Sequence, residues 1–167
     1  LFSKEGVTQG NPLAMFGYGI GILPLICILK EEFPEVRQPW YADDAGAGGS
    51  FSDLRHFFSR LQEIGPSYSY FPEPSKSILV VQEQNRALAK SAFADFDFKV
   101  RAGYRYLGGF IGSLEDQTAW IEAKVEDWTC AIAELAIVAL SHPQSAYADL
   151  QKSLQLEWQF VQRVVQG

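Results

Sequence analysis

Asp43 and Asp44 are adjacent carboxylates between the aromatic pair Trp40-Tyr41 and the small-residue run Ala45-Gly46-Ala47-Gly48-Gly49. Aspartate is a poor strand former and neighbouring like charges repel, so the pair destabilises any extended segment that carries it. A hairpin tip that holds a divalent ion is one place where this cost is offset. Mg²⁺ is a hard cation that takes carboxylate oxygens together with substrate phosphates, and paired ions of this kind drive phosphoryl transfer. Taken alone, two such acids are most often a solvated turn, and the surrounding segments must decide. A second candidate group is Lys76, in Pro74-Ser75-Lys76-Ser77 just ahead of the apolar run Ile78-Leu79-Val80-Val81.

The elements that position these groups follow from periodicity and punctuation. Residues 1–10 read as a loop in which Gly6 and Gly10 free the backbone. Asn11-Pro12 reads as N-cap and first helical residue of a helix to about Lys30, kinked near Pro24. Gln38 to Asp43 reads as a strand and Asp43-Asp44 as a tight turn, with a weak glycine-rich return strand. Ser50 to Asp53 has the form of a capping box, and Leu54, Phe57, Phe58 and Leu61 keep helical spacing up to Gly65-Pro66. Beyond an aromatic loop, Ser77 to Gln82 reads as a strand and Glu83 to Phe93 as a helix. Lys99–Arg101 and Tyr104–Ile111 read as two strands joined at Ala102-Gly103. From Asp116 the pattern is helical, broken at His142-Pro143 and resumed to about Val165. This order predicts an α+β domain followed by an all-α segment.

The 167 residues suit one domain with an appendage, and 47% hydrophobic content is enough for a core, which excludes a disordered chain. A net charge of -6 argues against a simple nucleic-acid-binding module. Its distribution is uneven: residues 51–100 carry six acidic and six basic side chains, so the excess acid lies in the flanks. Cys27 and Cys130 fit no metal or redox spacing and are expected to be small buried hydrophobes in a reducing compartment. With His56 and His142 the only histidines, a zinc site has almost no ligands available. Leu13 to Leu29 has no charge and nears membrane-spanning length. Its glycines and Pro24 favour a helix buried in a core over a span, and no membrane association is expected.

Four motifs occur in order: Gly6-Val7-Thr8-Gln9-Gly10-Asn11-Pro12, Tyr41-Ala42-Asp43-Asp44, Pro74-Ser75-Lys76-Ser77 and Tyr106-Leu107-Gly108-Gly109. Together they resemble the palm of a reverse transcriptase (an RNA-directed DNA polymerase) of the non-LTR retrotransposon type. The resemblance covers roughly the first 112 residues and implies a partial palm, an antiparallel sheet with packed helices. Residues 113–167 match only by position, where a helical thumb or connection would begin. It implies a magnesium-dependent nucleotidyltransferase, with Mn²⁺ as an alternative ion. The partners would be an RNA template, a DNA primer and deoxynucleoside triphosphates, inside the cell, in cytoplasm or nucleus.

Residue by residue, the resemblance makes Asp43 the carboxylate that bridges two metal ions, with Asp44 as supporting ligand. Tyr41 and Ala42 would lie under the primer terminus. Gly6 and Gly10 would let the backbone approach the templating pair, Gln9 would touch template or incoming nucleotide, and Pro12 would start the helix fixing that loop. Lys76 would be the general acid for the pyrophosphate leaving group. Tyr106, Leu107, Gly108 and Gly109 would form the turn that grips the primer. The family's first metal aspartate and its fingers lie upstream of the Gln-Gly loop, and the chain as given is expected to lack both and to be inactive alone. The alternative reading is a non-catalytic retroelement remnant, or a palm shape repurposed to bind nucleic acid or protein.

Overall fold

The computed structural model describes residues 12–41 and 44–165. They form two compact units: one holds the described residues up to Ser77 with Leu88–Phe98, the other Ile78–Ala87 with the described residues from Lys99 onward. The expected boundary at 112/113 therefore falls inside the second unit. Helices and short strands are mixed, as an α+β pattern requires.

In the first unit, helix α1 (Ala14–Glu32) packs against α2 (Phe51–Ile64). The α1 stripe Ile22, Leu25 and Leu29 recurs at helical spacing and meets Phe57 and Leu61 of α2, with Val36 closing the same core. Gln38 Nε2 donates to the Leu29 carbonyl at 3.1 Å, which also accepts from the Phe33 N–H at 2.9 Å, tying the following segment to the end of α1. Arg60 reaches back with a bidentate pair of hydrogen bonds to Glu32, both at 2.8 Å. Helix α2 starts as the sequence predicts, with Ser50 Oγ accepting from the Asp53 N–H at 3.2 Å. A second aromatic cluster lies beside it. Phe58 meets Phe98 edge-on at 4.6 Å, Phe96 stacks on Phe98, and Phe51 meets Phe93. Arg55 lies over the Phe96 ring and pairs with Asp95.

The second unit begins with a parallel pair, β3 (Ile78–Val80) and β4 (Lys99–Arg101). Helix α3 (Arg86–Ala92) spans the boundary between the units. An antiparallel hairpin follows, β5 (Gly103–Tyr106) and β6 (Gly109–Gly112). Then come α4 (Leu114–Ala139), α5 (Pro143–Asp149), one π-helical stretch at Leu150–Leu154, and α6 (Gln155–Val164). Ser113 caps α4 through the Asp116 N–H, and Trp120 stacks on Phe110 of β6. Trp128 of α4 meets Trp158 of α6 edge-on at 4.8 Å. Its indole N–H donates to Glu157, which also pairs with Lys124.

Several expectations need correction. Pro12 is not the first helical residue: it lies in a turn, Leu13 occupies the cap position, and α1 begins at Ala14. Asn11 lies outside the described residues. The segment read as one strand over 104–111 is a hairpin, because Leu107-Gly108 reverses the chain. Among the described residues the strands form three two-stranded sheets, one of them parallel, rather than one antiparallel sheet. Both cysteines are exposed rather than buried. Cys27 sits two residues from both Leu25 and Leu29, which turns it away from the buried stripe. Only that stripe of α1 is buried, and Phe16, Ile20 and Leu23 of its outer face are more than half exposed. This one helix is long and apolar enough to cross a membrane by length and composition. Phe57 belongs to the first unit's core and Tyr68 and Tyr70 pack on it, while Phe58 packs against Phe96 and Phe98 and Phe71 is exposed.

Two outcomes follow for stability. Leu25 is fully buried, so Leu25→Ala should cost about 2–5 kcal/mol in chemical denaturation. Lys124 above all, then the Trp128 indole, holds the Glu157 carboxyl below its ordinary range. A depressed carboxylate contributes stability above the unfolded glutamate pKa of about 4.3 and loses it as pH falls through the lower folded value. Glu157→Gln should therefore flatten the acid limb of an unfolding curve followed by tryptophan fluorescence.

Candidate functional site

Asp44 lies on a hairpin whose described residues keep one register. Strand β1 (Trp40–Tyr41) pairs with β2 (Asp44–Ala45), Trp40 opposite Ala45 and Tyr41 opposite Asp44. The same register continues outward: Gly46 N–H donates to the Pro39 carbonyl at 2.8 Å, and Arg37 and Gly48 exchange hydrogen bonds at 2.8 and 2.9 Å. The glycine-rich return strand thus stays in register despite its lack of side chains. Ala42 and Asp43, between Tyr41 and Asp44, lie outside the described residues.

Alternation along the strand then assigns faces. Trp40 packs on the first unit's core and meets Tyr70 edge-on at 5.6 Å. Tyr41 consequently faces outward, 62% exposed, with Asp44 opposite it and also exposed. Gly48 shares that outer face. A Cβ there would meet nothing within 4 Å, so neither packing nor a left-handed backbone demands glycine. On the return strand this face therefore carries no side chain at Gly46 and Gly48. Arg37 shares the face as well, an exposed cation that sequence reasoning missed. It lies one residue ahead of the expected strand from Gln38, at even spacing from Tyr41.

Lys76 ends a short 3₁₀ turn, Pro74–Lys76, just before β3. Its side chain is 80% exposed and its Nζ sits 2.7 Å from Glu73 Oε2. Ser75 Oγ donates to the other Glu73 oxygen at 2.8 Å, and Ser77 Oγ donates to the Glu73 carbonyl at 2.9 Å. Glu73 therefore organises the loop, and it too was missed by sequence reasoning. It raises the Lys76 pKa, chiefly through the hydrogen bond, while Lys76 and then Ser75 lower that of Glu73. A lysine held in this way stays protonated at neutral pH and parts with its proton reluctantly.

The turn of the Tyr106–Gly109 motif lies in the second unit. Tyr106 pairs with Gly109, leaving Leu107 and Gly108 as a two-residue connection with φ of 48° and 80°. Two positive φ values are the signature of the type I′ hairpin turn, which favours Asn-Gly. Gly108 meets the demand twice over, because a Cβ there would also come within 2.7 Å of the Phe160 ring. Leu107 meets it at a cost. A bulky residue in this region is strained, and strain of this kind concentrates at functional positions.

Gly6, Gln9, Gly10, Ala42 and Asp43 lie outside the described residues. Among the described residues no group of three or more histidine, cysteine, aspartate or glutamate side chains could hold a metal ion. Asp44 supplies the hard oxygen donors that Mg²⁺ prefers. Comparison with protein-family models, curated proteins and solved structures gave no match.

Leu107→Asn should stabilise the second unit by about 1 kcal/mol in thermal unfolding by relieving the left-handed strain, whereas Gly108→Ala should destabilise it. Glu73→Gln should bring the Lys76 ammonium back toward its ordinary titration range, read from its side-chain NMR shift against pH.

Proposed function

We propose that this chain is part of the palm of an RNA-directed DNA polymerase of the non-LTR retrotransposon type, contributing to a two-metal phosphoryl-transfer site. The observation that carries the reading is the hairpin register. With Trp40 inward and Tyr41 opposite Asp44, the first and last residues of the Tyr-Ala-Asp-Asp motif face outward on a hairpin whose return strand carries Gly46 and Gly48 on that face. A primer terminus needs such a surface beside metal-holding carboxylates. The strained Leu107-Gly108 turn, which the sequence motif likens to a primer grip, supports the same reading.

In this scheme Asp43 and Asp44 would hold Mg²⁺, which would supply charge neutralisation at the triphosphate and activation of the primer hydroxyl. Tyr41 and the glycine face support the primer end, and Arg37 meets its phosphates. Lys76 is the proton source for the leaving pyrophosphate once Glu73 yields it. RNA template, DNA primer and deoxynucleoside triphosphates are the corresponding partners.

A specific observation favours the alternative of a non-catalytic binding module. The helical segment where a thumb would contact nucleic acid is acidic: between Lys124 and Lys152 there is no lysine or arginine. Nucleic acid is bound by cations, so that stretch contributes nothing to backbone affinity.

The two readings part in one experiment. In the polypeptide that carries this segment, Mg²⁺-dependent primer extension on an RNA template should fall by a factor on the order of 10³ or more in Asp43→Ala. Lys76→Ala should lower the extension rate more than primer binding. Extension that survives Asp43→Ala removes the catalytic role, and an inactive parent that still binds a partner favours the binding module.

A further inference from the structure

The 3₁₀ turn at Lys76 is built like an anion site whose occupant belongs to the chain itself. Both oxygens of the Glu73 carboxylate are taken. The Lys76 ammonium sits 2.7 Å from Oε2, and the Ser75 hydroxyl donates to Oε1 at 2.8 Å. An ammonium and a hydroxyl on adjacent residues thus hold two oxygens of one anionic group, as in charge-assisted binding of a carboxylate or phosphoryl group. The Glu73 backbone serves a separate purpose. Its carbonyl accepts from Ser77 Oγ at 2.9 Å and from the Lys76 and Ser77 N–H groups, both at 3.2 Å. Main-chain and Ser77 bonds therefore close the turn, and the carboxylate can leave without opening it.

Exposure makes the occupant exchangeable. The Lys76 side chain is 80% exposed and that of Glu73 is 52% exposed. Such a pair is weak and screened by salt, so a ligand that carries more charge than one carboxylate displaces it. By contrast, Lys124 is 21% exposed and its partner Glu157 also accepts from the Trp128 indole, which makes that pair a structural tie.

We propose that Glu73 is a built-in competitor for the polyphosphate of a nucleotide: it occupies a Ser75–Lys76 anion site in the free protein and is displaced when the ligand arrives. The hydroxyl and ammonium then donate to phosphoryl oxygens, while the Glu73 carboxylate turns out to solvent. The exchange rests on the geometry of the turn. The choice of a polyphosphate among anions deepens the polymerase reading and rests on it.

The test titrates the isotopically labelled full chain with inorganic pyrophosphate in low-salt buffer containing EDTA, followed by backbone amide and lysine side-chain NMR shifts. With no metal, primer or template, it reads the anion site apart from the Asp43–Asp44 hairpin. Shifts should gather at residues 73–77 with a Kd of about millimolar order. Glu73→Gln keeps the side-chain length and an oxygen for Ser75, yet should tighten pyrophosphate binding by about three- to tenfold. A merely structural glutamate predicts weaker or unchanged binding. Lys76→Ala should abolish the response, and adding Glu73→Gln to it should restore nothing, which separates displacement from a general loss of negative charge. In the Glu73→Gln background, Ser75→Ala should weaken pyrophosphate by about threefold. A deoxynucleoside triphosphate should bind about as tightly as pyrophosphate, and inorganic phosphate more weakly. Unchanged or weaker binding in Glu73→Gln, a gain that persists without Lys76, no effect of Ser75→Ala, shifts confined to other residues, or equal binding of phosphate would each overturn the proposal. Failed primer extension in the parent with this cycle intact removes the polymerase reading and leaves the exchange standing. Successful extension with a flat cycle removes the exchange alone.

Discussion

Trp40 is the constraint on which the hairpin depends. Its indole packs on the α1–α2 core and against Tyr70, and no neighbouring residue could take its place without a change of face. A one-residue slip of β1 would move Trp40 into solvent and carry Tyr41 into the core, so apolar burial specifies the register. The glycines of the return strand could not do so, since they offer no side chains to distinguish one alignment from the next. Orientation of Tyr41, Arg37 and Asp44 is thus inherited from the packing of Trp40.

The two other motifs are positioned by different physics. Lys76 is held electrostatically, by a carboxylate three residues earlier that is itself steadied by Ser75, and both partners are largely exposed. Such a pair contributes little to stability and is screened by salt, so it orients a side chain without anchoring the loop. The Leu107-Gly108 turn is held by packing against Phe160 and Val164 of α6, which lets the hairpin carry a left-handed leucine. An adaptable cation and a rigid strained tip are different tools, and the proposed chemistry uses one of each.

Much of the architecture is legible in the chain because it is local. Ser50 and Ser113 cap their helices through a side chain that reaches the third residue on, a relation visible in the sequence at Ser50 and present at Ser113. The helix start at Pro12 was misplaced because Pro fits a turn before a helix as well as its first position. Periodicity alone reads 104–111 as one strand, because leucine is a poor advertisement for a left-handed turn, whereas the Tyr106–Gly109 motif implies the turn that is present there. The cysteines misled because an apolar helix with one buried stripe has more apolar residues than inward positions. The role of Glu73 was less legible: its i,i+3 spacing to Lys76 is visible, but the contacts with Ser75 and Ser77 that organise the loop are not.

The central claim is that the end of the Trp40-anchored hairpin gathers divalent cations. Low concentrations of Mn²⁺ added to the isotopically labelled chain would report this directly through paramagnetic broadening of backbone amide signals. The account requires broadening that begins at residues 41–44 and disappears when Asp43 and Asp44 are both replaced by asparagine. Broadening that begins instead on the acidic surface of α4, around Glu122 and Glu126, and leaves the hairpin sharp would contradict it.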